Sequence, residues 1–433
     1  MSGPEAGGAR EDGPVAVWGG GVSGRAVGAL LESLGRPFRV FDERGDSRGE
    51  RDFAPAPGEF VLAVTSPGFA PGHPWRKRAA AAGLPVVGET AFAASLWPGD
   101  LLCVTGTNGK TTLVRLLEGA LRAAGESARA CGNIGRPLSA LCLEDPGGTA
   151  TAVCETSSFQ LFDWERPECM AAIWTNFDRD HLDWHPSAAE YFAAKERIFA
   201  ADPPSFAGPS VREWARRLGR RAPEGLRYVG PGDYRGPEGS RFARPPWDEL
   251  YALAAAWWES TGRPASALAA AARALAPLPH RLEDLGSVGG IRFVDDSKAT
   301  NPHAALAAVA SREEPIRWLG GGSAKGEDLG AFASALAGKI ASADTFGATG
   351  GALADQLAAA GCPVRSHGDL DEAFRSALAR VVPGEVVLLS PGFASFDQFS
   401  GYAERGERFR ALVAKLGTED ASPGASGLGG RRA

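Results

Sequence analysis

Residues 104 to 112 read Val-Thr-Gly-Thr-Asn-Gly-Lys-Thr-Thr, and the fold turns on how that stretch is taken. It follows an apolar run, Leu101 to Val104, of the kind a buried strand needs, and precedes Leu113 to Ala124, which is apolar at helical spacing. A strand, a glycine-rich turn and a helix start leave backbone N–H groups without partners, and a phosphate chain supplies one. Gly106 and Gly109 let the backbone approach the phosphates, and Lys110 adds a point charge. The hydroxyl of Thr111 or Thr112 suits Mg²⁺. The usual GxxxxGK[ST] spacing wants glycine where this chain has Val104, so the loop is a variant. The plainer reading is a glycine turn before an ordinary helix. Gly-Lys-Thr at the strand-to-helix junction favours a nucleoside triphosphate site.

A chain of 433 residues with 44% hydrophobic content exceeds one core and predicts two or three domains. The formal charge of -6, with no basic run outside Arg431 and Arg432, argues against nucleic acid as a partner. Six scattered cysteines, with no CxxC pair, read as reduced core residues. Met1 to Gly13 is polar and glycine-rich, without the apolar segment of a signal peptide, and no run approaches membrane-spanning length. The expectation is a cytoplasmic monomer with no membrane insertion, and with disorder over 1–13 and the Gly/Ser/Pro-rich 417–433.

Working outward toward the N-terminus, Val15 to Trp18 predicts a strand, followed by Gly19-Gly-Gly-Val-Ser-Gly24 and a helix through Leu34. Gly19, Gly21 and Gly24 fit GxGxxG, and the strand Phe38 to Phe41 ends at Asp42, the spacing of a dinucleotide fold. The motif alone says NAD or FAD; its geometry says only that a diphosphate or sugar nucleotide rests on a helix start. Phe60 to Val64 predicts a strand closed by Ser66-Pro67-Gly68, either a plain turn or part of a ligand pocket.

Beyond the loop, Ala150 to Cys154 predicts a strand ending at Glu155, where a Mg²⁺ ligand belongs. Ala171 to Trp174 runs into Asn176-Phe-Asp-Arg-Asp-His-Leu-Asp-Trp-His185. Asp178, Asp180 and Asp183 read as helix caps or as a site. His181 and His185 have zinc chemistry, but no third ligand is spaced for it. Lys195 follows Tyr191 on a helix, where a lysine ordinarily snorkels to solvent. Farther on, the strand candidates are Ile291 to Val294, Ile316 to Leu319, Asp344 to Ala348 and Glu385 to Leu389. They alternate with helical stretches and predict another α/β layer.

The order of GTNGKTT, GNIG (132–135), ETSSFQL (155–161), NFDRDHLDWH, YFAAK (191–195), His280-Arg281, DSKATN (296–301), Gly320-Gly-Gly322 with Lys325, and SPGFASFDQF (390–399) resembles the Mur ligases. The resemblance runs from Val15 to Val413 and is strongest, through DSKATN and SFDQF, to the glutamate-adding branch. It implies three α/β domains: Rossmann-like and UDP-binding (14–97), P-loop ATPase-like (98–277) and Rossmann-like, amino-acid-binding (278–416). It implies ATP and two Mg²⁺ as cofactors, and UDP-N-acetylmuramoyl-L-alanine and glutamate, D rather than L, as substrates. Residue by residue, Thr107, Asn108, Gly109, Lys110, Thr111, Thr112, Arg281 and Asp296 would hold ATP. Thr111 and Glu155 would take one Mg²⁺, and His181 and a carbamylated Lys195 the other. Lys110, Glu155, His181 and Lys195 would be catalytic. Val22, Ser23, Glu43, Arg44, Ser66, Gly68, Asn133 and Ser157 would hold the UDP-sugar and its acyl arm, and Lys298, Thr300, Lys325, Ser395 and Tyr402 the glutamate. The third domain would close over the site and exclude water.

Three departures stand out. A His-Asn-x-x-Asn signature at the nucleotide is replaced by Pro246-Trp-Asp-Glu-Leu250. Ser323-Ala324 stands where an acidic residue is common, and Ser390-Pro-Gly-Phe393 replaces a small-residue pair. The last two lie near the expected glutamate site and leave L-glutamate as an alternative. A dehydrogenase would leave the loop at Lys110 unexplained, and a nucleotide switch would not need DSKATN.

Overall fold

The computed structural model describes residues 13–43 and 49–419. The expected disorder of 1–12 and 420–433, and the expected role of Arg44, lie outside the described residues. The chain divides at Leu275 into two compact units. The architecture is α/β, in three domains each built on one sheet.

The first unit carries two wholly parallel sheets. β1 (Val15–Trp18), β2 (Phe38–Phe41), β3 (Leu62–Thr65) and β4 (Val86–Gly88) lie in the order β2-β1-β3-β4. β5 (Leu101–Thr105), β6 (Ala128–Gly132), β7 (Thr151–Glu155), β8 (Ala171–Trp174), β9 (Ser205–Ala207) and β10 (Arg227–Tyr228) lie in the order β10-β9-β8-β5-β7-β6. β1 and β5 sit where the chain first turns one way across its sheet and then the other. Open parallel sheets hold ligands at the carboxyl ends of such strands. GxGxxG follows β1, and the Lys110 loop follows β5.

Every residue of β5, β7 and β8 is buried, because helices cover both faces of a parallel sheet. One apolar cluster runs from Val15 and Leu31 through Trp97 to Cys103 and Trp174, so the two sheets share a core. Polar bonds add to it: Arg76 forks onto Asp163 at 2.6 and 2.7 Å, and the Gly88 amide donates to the Asp163 carbonyl. The six cysteines are free, all but Cys169 fully buried.

In the second unit, β11 (Glu283–Val288), β12 (Ile291–Asp295), β13 (Ile316–Gly321), β14 (Ser342–Phe346), β15 (Val364–Ser366) and β16 (Val386–Leu389) lie in the order β11-β12-β16-β13-β14-β15. All are parallel except the edge strand β11. A final helix, Tyr402–Glu419, continues into the stretch expected to be a disordered tail. Phe409 and Val413 join the sheet core beside Phe293 and Phe374, and that apolar face is what orders the helix.

Arg405, on this helix, is fully buried. Its guanidinium donates to the carbonyls of Ser297 (2.9 Å) and Phe393 (3.0 Å) and to Ser297 Oγ (3.0 Å). Burial pushes its pKa down to about 10, so the cation persists at neutral pH. Arg405→Met leaves those oxygens without donors in a dry core, and we expect it to lower the unfolding free energy in urea by about 3 kcal/mol. An unchanged midpoint would remove Arg405 as the pin of these loops.

Candidate active site

The loop after β5 needs its glycines. Gly106 has φ 151° and Gly109 φ 82°, and an added Cβ would lie 1.8 Å from Thr175 Oγ1 and 2.7 Å from Leu250 Cδ2, respectively. The residues just past β8 clamp the loop. The Asn108 carbonyl accepts from Thr175 Oγ1 (2.6 Å) and Asn176 Nδ2 (3.2 Å), and Asn108 N donates to Asn176 Oδ1 (2.8 Å). Thr107 Oγ1 accepts from Asp178 N at 3.1 Å and lies 3.3 Å from the Tyr191 hydroxyl. The helix Lys110–Ala123 has no acid in its first turn, so its start presents positive potential.

Two lysines converge on one oxygen here. Lys110 Nζ and Lys195 Nζ each donate to the Gly106 carbonyl at 2.8 Å, and Lys110 also reaches the Thr107 carbonyl at 2.9 Å. Lys195 is buried, against the solvated position that its helix suggested. Its amine lies 4.8 Å from the Tyr191 ring centre. Burial, and then the Lys110 charge, hold its pKa well below the ordinary lysine value. Thr111 Oγ1 donates to Glu155 Oε2 at 2.8 Å and Asn133 Nδ2 to Glu155 Oε1 at 3.1 Å. Glu155 is itself buried. A hydroxyl and a carboxylate oxygen in contact at a phosphate-loop helix fit a hard divalent cation.

His181 takes φ 55°, rare for a residue with a side chain. Its ring packs against Phe159, centroids 4.8 Å apart, on the side facing Tyr191. His185 is buried, with Nε2 2.9 Å from Ser158 Oγ. Among the described residues, neither histidine belongs to a group of three His, Cys, Asp or Glu side chains within metal-ligating distance of one another.

The loop after β1 is equally tight. Gly20 N donates to Asp42 Oδ2 at 2.6 Å, and a Cβ on Gly24 would sit 1.7 Å from the Gly19 carbonyl oxygen. Beside Gly19, the Ser66 hydroxyl is buried with no hydrogen-bond partner among the described residues. Val22 and Gly68 are exposed, Ser23 is half-buried, and Glu43 pairs with His73 at 3.2 Å. Ser157 caps the helix Ser158–Phe162 in a capping box with Gln160.

In the second unit, Asp296 is buried and accepts from Leu282 N (3.1 Å) and Ser390 Oγ (2.7 Å). Burial raises its pKa to about 7. Lys298 Nζ lies 3.6 Å from the centre of the Tyr402 ring. Thr300, Lys325 and Ser395 follow β12, β13 and β16, on the carboxyl side of the sheet, and Arg281 sits between the left-handed His280 and Leu282. His280, Glu283 and Asp295 lie within metal-ligating distance of one another. His280 Nδ1 is 2.6 Å from Asp295, however, and Glu283 accepts from His280 N and Arg410, so they form a hydrogen-bonded clamp. Ser390 and Phe393 have structural duties, the first on Asp296 and the second packed on Phe332.

Tyr191, Asn176 and Arg405 were absent from the residues singled out by sequence. Asn176 and Tyr191 stand inside quoted motifs, which is the signal that could have found them.

The chain matches the Mur ligase middle domain over residues 104–207 and the Mur ligase glutamate ligase domain over 280–393. It is 36% identical to the UDP-N-acetylmuramoylalanine--D-glutamate ligase of Mycobacterium avium, across 92% of this chain and 96% of that protein. It is 35% identical to the protein of the same name from Gloeobacter violaceus, across 93% and 99%. Among solved structures, the UDP-N-acetylmuramate-alanine ligase of Thermotoga maritima superposes with TM-score 0.58 at 16% identity, covering 93% of this chain and 99% of that one. E. coli FolC with DHPP and ADP superposes at 0.52 and 19% identity, covering 77% and 92%. At such identities the structures speak for the fold alone.

Burial, and then the charges of His181 and Lys195, push His185 from the ordinary 6.5 down to about 3. Between those values the unfolded chain takes a proton that the folded chain refuses. The contribution is therefore full above pH 6.5 and is lost as acid is added, at about 1.4 kcal/mol per pH unit once below pH 6. His185→Phe should flatten the fall in urea midpoint between pH 6 and pH 5, and identical slopes would contradict this origin.

Proposed function

The chain belongs to the Mur ligase family of ATP-dependent amide-forming ligases, and from that premise we propose that it joins D-glutamate to UDP-N-acetylmuramoyl-L-alanine, as a cytoplasmic monomer making peptidoglycan precursors. No helix among the described residues is long and apolar enough to cross a membrane. One observation carries the reading: two lysines meet at the Gly106 carbonyl, beside the Thr111–Glu155 pair, on the strand ends where a sheet of this order takes its ligand.

The chemistry explains the arrangement. An ionised carboxylate resists nucleophiles, so the alanyl carboxylate must first be activated. Its oxygen bonds to the γ phosphorus of ATP as the bridging P–O bond breaks, giving an acyl phosphate and ADP. The glutamate nitrogen then adds to the acyl carbon, and the tetrahedral adduct expels phosphate and releases a proton. Both steps gather negative charge, which Lys110 and the helix start at Gly109 offset without reorganising. Thr107, Asn108, Gly109, Thr111 and Thr112 line the phosphates, and Arg281 and Asp296 are the further residues assigned to the nucleotide. Val22, Ser23, Glu43, Arg44, Ser66, Gly68, Asn133 and Ser157 hold the UDP-sugar and its arm. Lys298, Thr300, Lys325, Ser395 and Tyr402 hold glutamate.

Thr111 and Glu155 would hold one Mg²⁺ and His181 with Lys195 a second, ions that neutralise phosphate charge when bound. Burial of Lys195 among neutral oxygens supports its carbamylation, in which the amine nitrogen bonds to CO₂ and loses a proton. The carbamate turns a cation that would repel Mg²⁺ into an anion that attracts it.

ADP release, measured with the UDP-sugar and each glutamate enantiomer separately, should require the UDP-sugar and D-glutamate. Lys110→Ala should lower it by roughly a hundred- to a thousandfold. Release with neither enantiomer would end the ligase reading, and release with the L form alone would reverse the enantiomer. Carbon-13-labelled bicarbonate should give a carbamate resonance in the wild type that Lys195→Arg lacks.

A further inference from the structure

The rim residue Ser157 sits at the end of a buried hydrogen-bond chain that runs in one direction. At its far end is Glu89, deep between the two sheets of the first unit. Glu89 Oε1 accepts from Ser139 N (2.9 Å) and Ser139 Oγ (2.6 Å), and Oε2 accepts from Thr90 Oγ1 (2.9 Å). Thr90 Oγ1 in turn accepts from Gln160 Nε2 at 2.8 Å. Gln160 Oε1 accepts from Ser157 N (2.9 Å) and from Ser157 Oγ (2.8 Å), while Gln160 N donates to Ser157 Oγ at 3.3 Å.

The direction is not a matter of choice. A backbone N–H can only donate, so the Gln160 atom facing Ser157 N is the carbonyl oxygen and the amide nitrogen faces Thr90. One lone pair of Thr90 is thereby used, and its proton goes to Glu89 Oε2. A serine hydroxyl has one proton and two lone pairs. At Ser157 the proton lies on Gln160 Oε1 and one lone pair takes Gln160 N. What remains for a ligand is a single acceptor position.

We propose that Ser157 accepts a hydrogen bond from the amide N–H that joins the acyl arm of the substrate to its alanine, with Glu89, Thr90 and Gln160 as the positioning residues that fix this polarity. The inference rests on the proposed substrate. Ser157 stands two residues beyond Glu155, at the reacting end of the site, and that N–H is the donor one carbon away from the reacting carboxylate. The hydroxyl has no proton left for the carboxylate itself, so it reads the arm and leaves the nucleophile alone.

The test is a pair of substrates, the natural amide and an ester in which oxygen replaces that N–H, compared by kcat/KM and by direct binding. The wild type should prefer the amide about tenfold, the worth of one hydrogen bond. Ser157→Ala should bring the ratio close to one by lowering the amide value alone. Thr90→Val should erode the preference, and Thr90→Ser, which keeps the hydroxyl, should retain it; a merely structural role for Thr90 would lower both substrates together. An undiminished tenfold preference in Ser157→Ala, or equal use of both substrates by the wild type, overturns the inference. A wild type that ligates neither overturns the proposed reaction instead.

Discussion

Two ammonium-bearing side chains on one carbonyl oxygen is the constraint from which the rest of the site follows. Lys110 and Lys195 both reach Gly106 at 2.8 Å. Two unit charges at roughly 5 Å repel by about 3 kcal/mol at the effective dielectric of a partly buried site. Burial resolves the conflict by disfavouring the proton on Lys195. The loop therefore presents the Lys110 ammonium and, beside it, an amine on which burial disfavours the proton. That requires a carbonyl turned into the site, hence a residue at 106 with a left-handed φ and no Cβ, hence the packing against Thr175.

The clamp that holds the loop comes from β8, and the acid that faces it comes from β7, so the neighbours of β5 matter as much as the loop. Had β7 and β8 followed on the same side of β5, Glu155 and Thr175 could not flank Lys110. The loop after β1 repeats this logic, with Asp42 of the neighbouring strand taking the Gly20 amide. Between these two sites, the Glu89 chain and the Arg76–Asp163 fork hold the segment 157–163 from both ends. Ser157 is placed by residues that never approach the chemistry.

These relations were unevenly legible in the sequence. β1 and β8 coincide with the apolar runs that predicted them, because a strand covered on both faces must be apolar throughout, and the edge strand β2, Phe-Arg-Val-Phe with Arg39 exposed, coincides with its predicted stretch as well. β11 was not foreseen, since an antiparallel edge strand reading Glu-Asp-Leu-Gly-Ser-Val carries no such run. β4 and β15, three residues each, are too short to show a period. The helix Tyr402–Glu419 was hidden by its charges. Arg405 looks like a solvated arginine until the loops around Ser297 and Phe393, far away in sequence, bring their carbonyls to it. Lys195 departs from the snorkelling rule in the opposite sense, because its helix packs on the loop and buries the amine. The candidate site residues were legible as motifs, and the Ser157-x-x-Gln160 spacing of a capping box is itself a sequence signature, whereas the contacts of Asn176 and Tyr191 with the loop depend on the fold.

The segment that departs from the family signature is itself built into the loop. Leu250 stands where a Cβ on Gly109 would meet it, so an apolar side chain now backs the left-handed residue that starts the helix Lys110–Ala123. One position earlier, Glu249 has a buried oxygen with no hydrogen-bond partner among the described residues, and burial raises its pKa to about 7. A buried carboxyl without a hydrogen-bond partner costs stability unless it takes up a proton. The replacement of two amides by Trp247 and Leu250 thus changes how the loop is supported, while the loop's own conformation, fixed by Gly106, Gly109 and the clamp at Asn108, can stay the same.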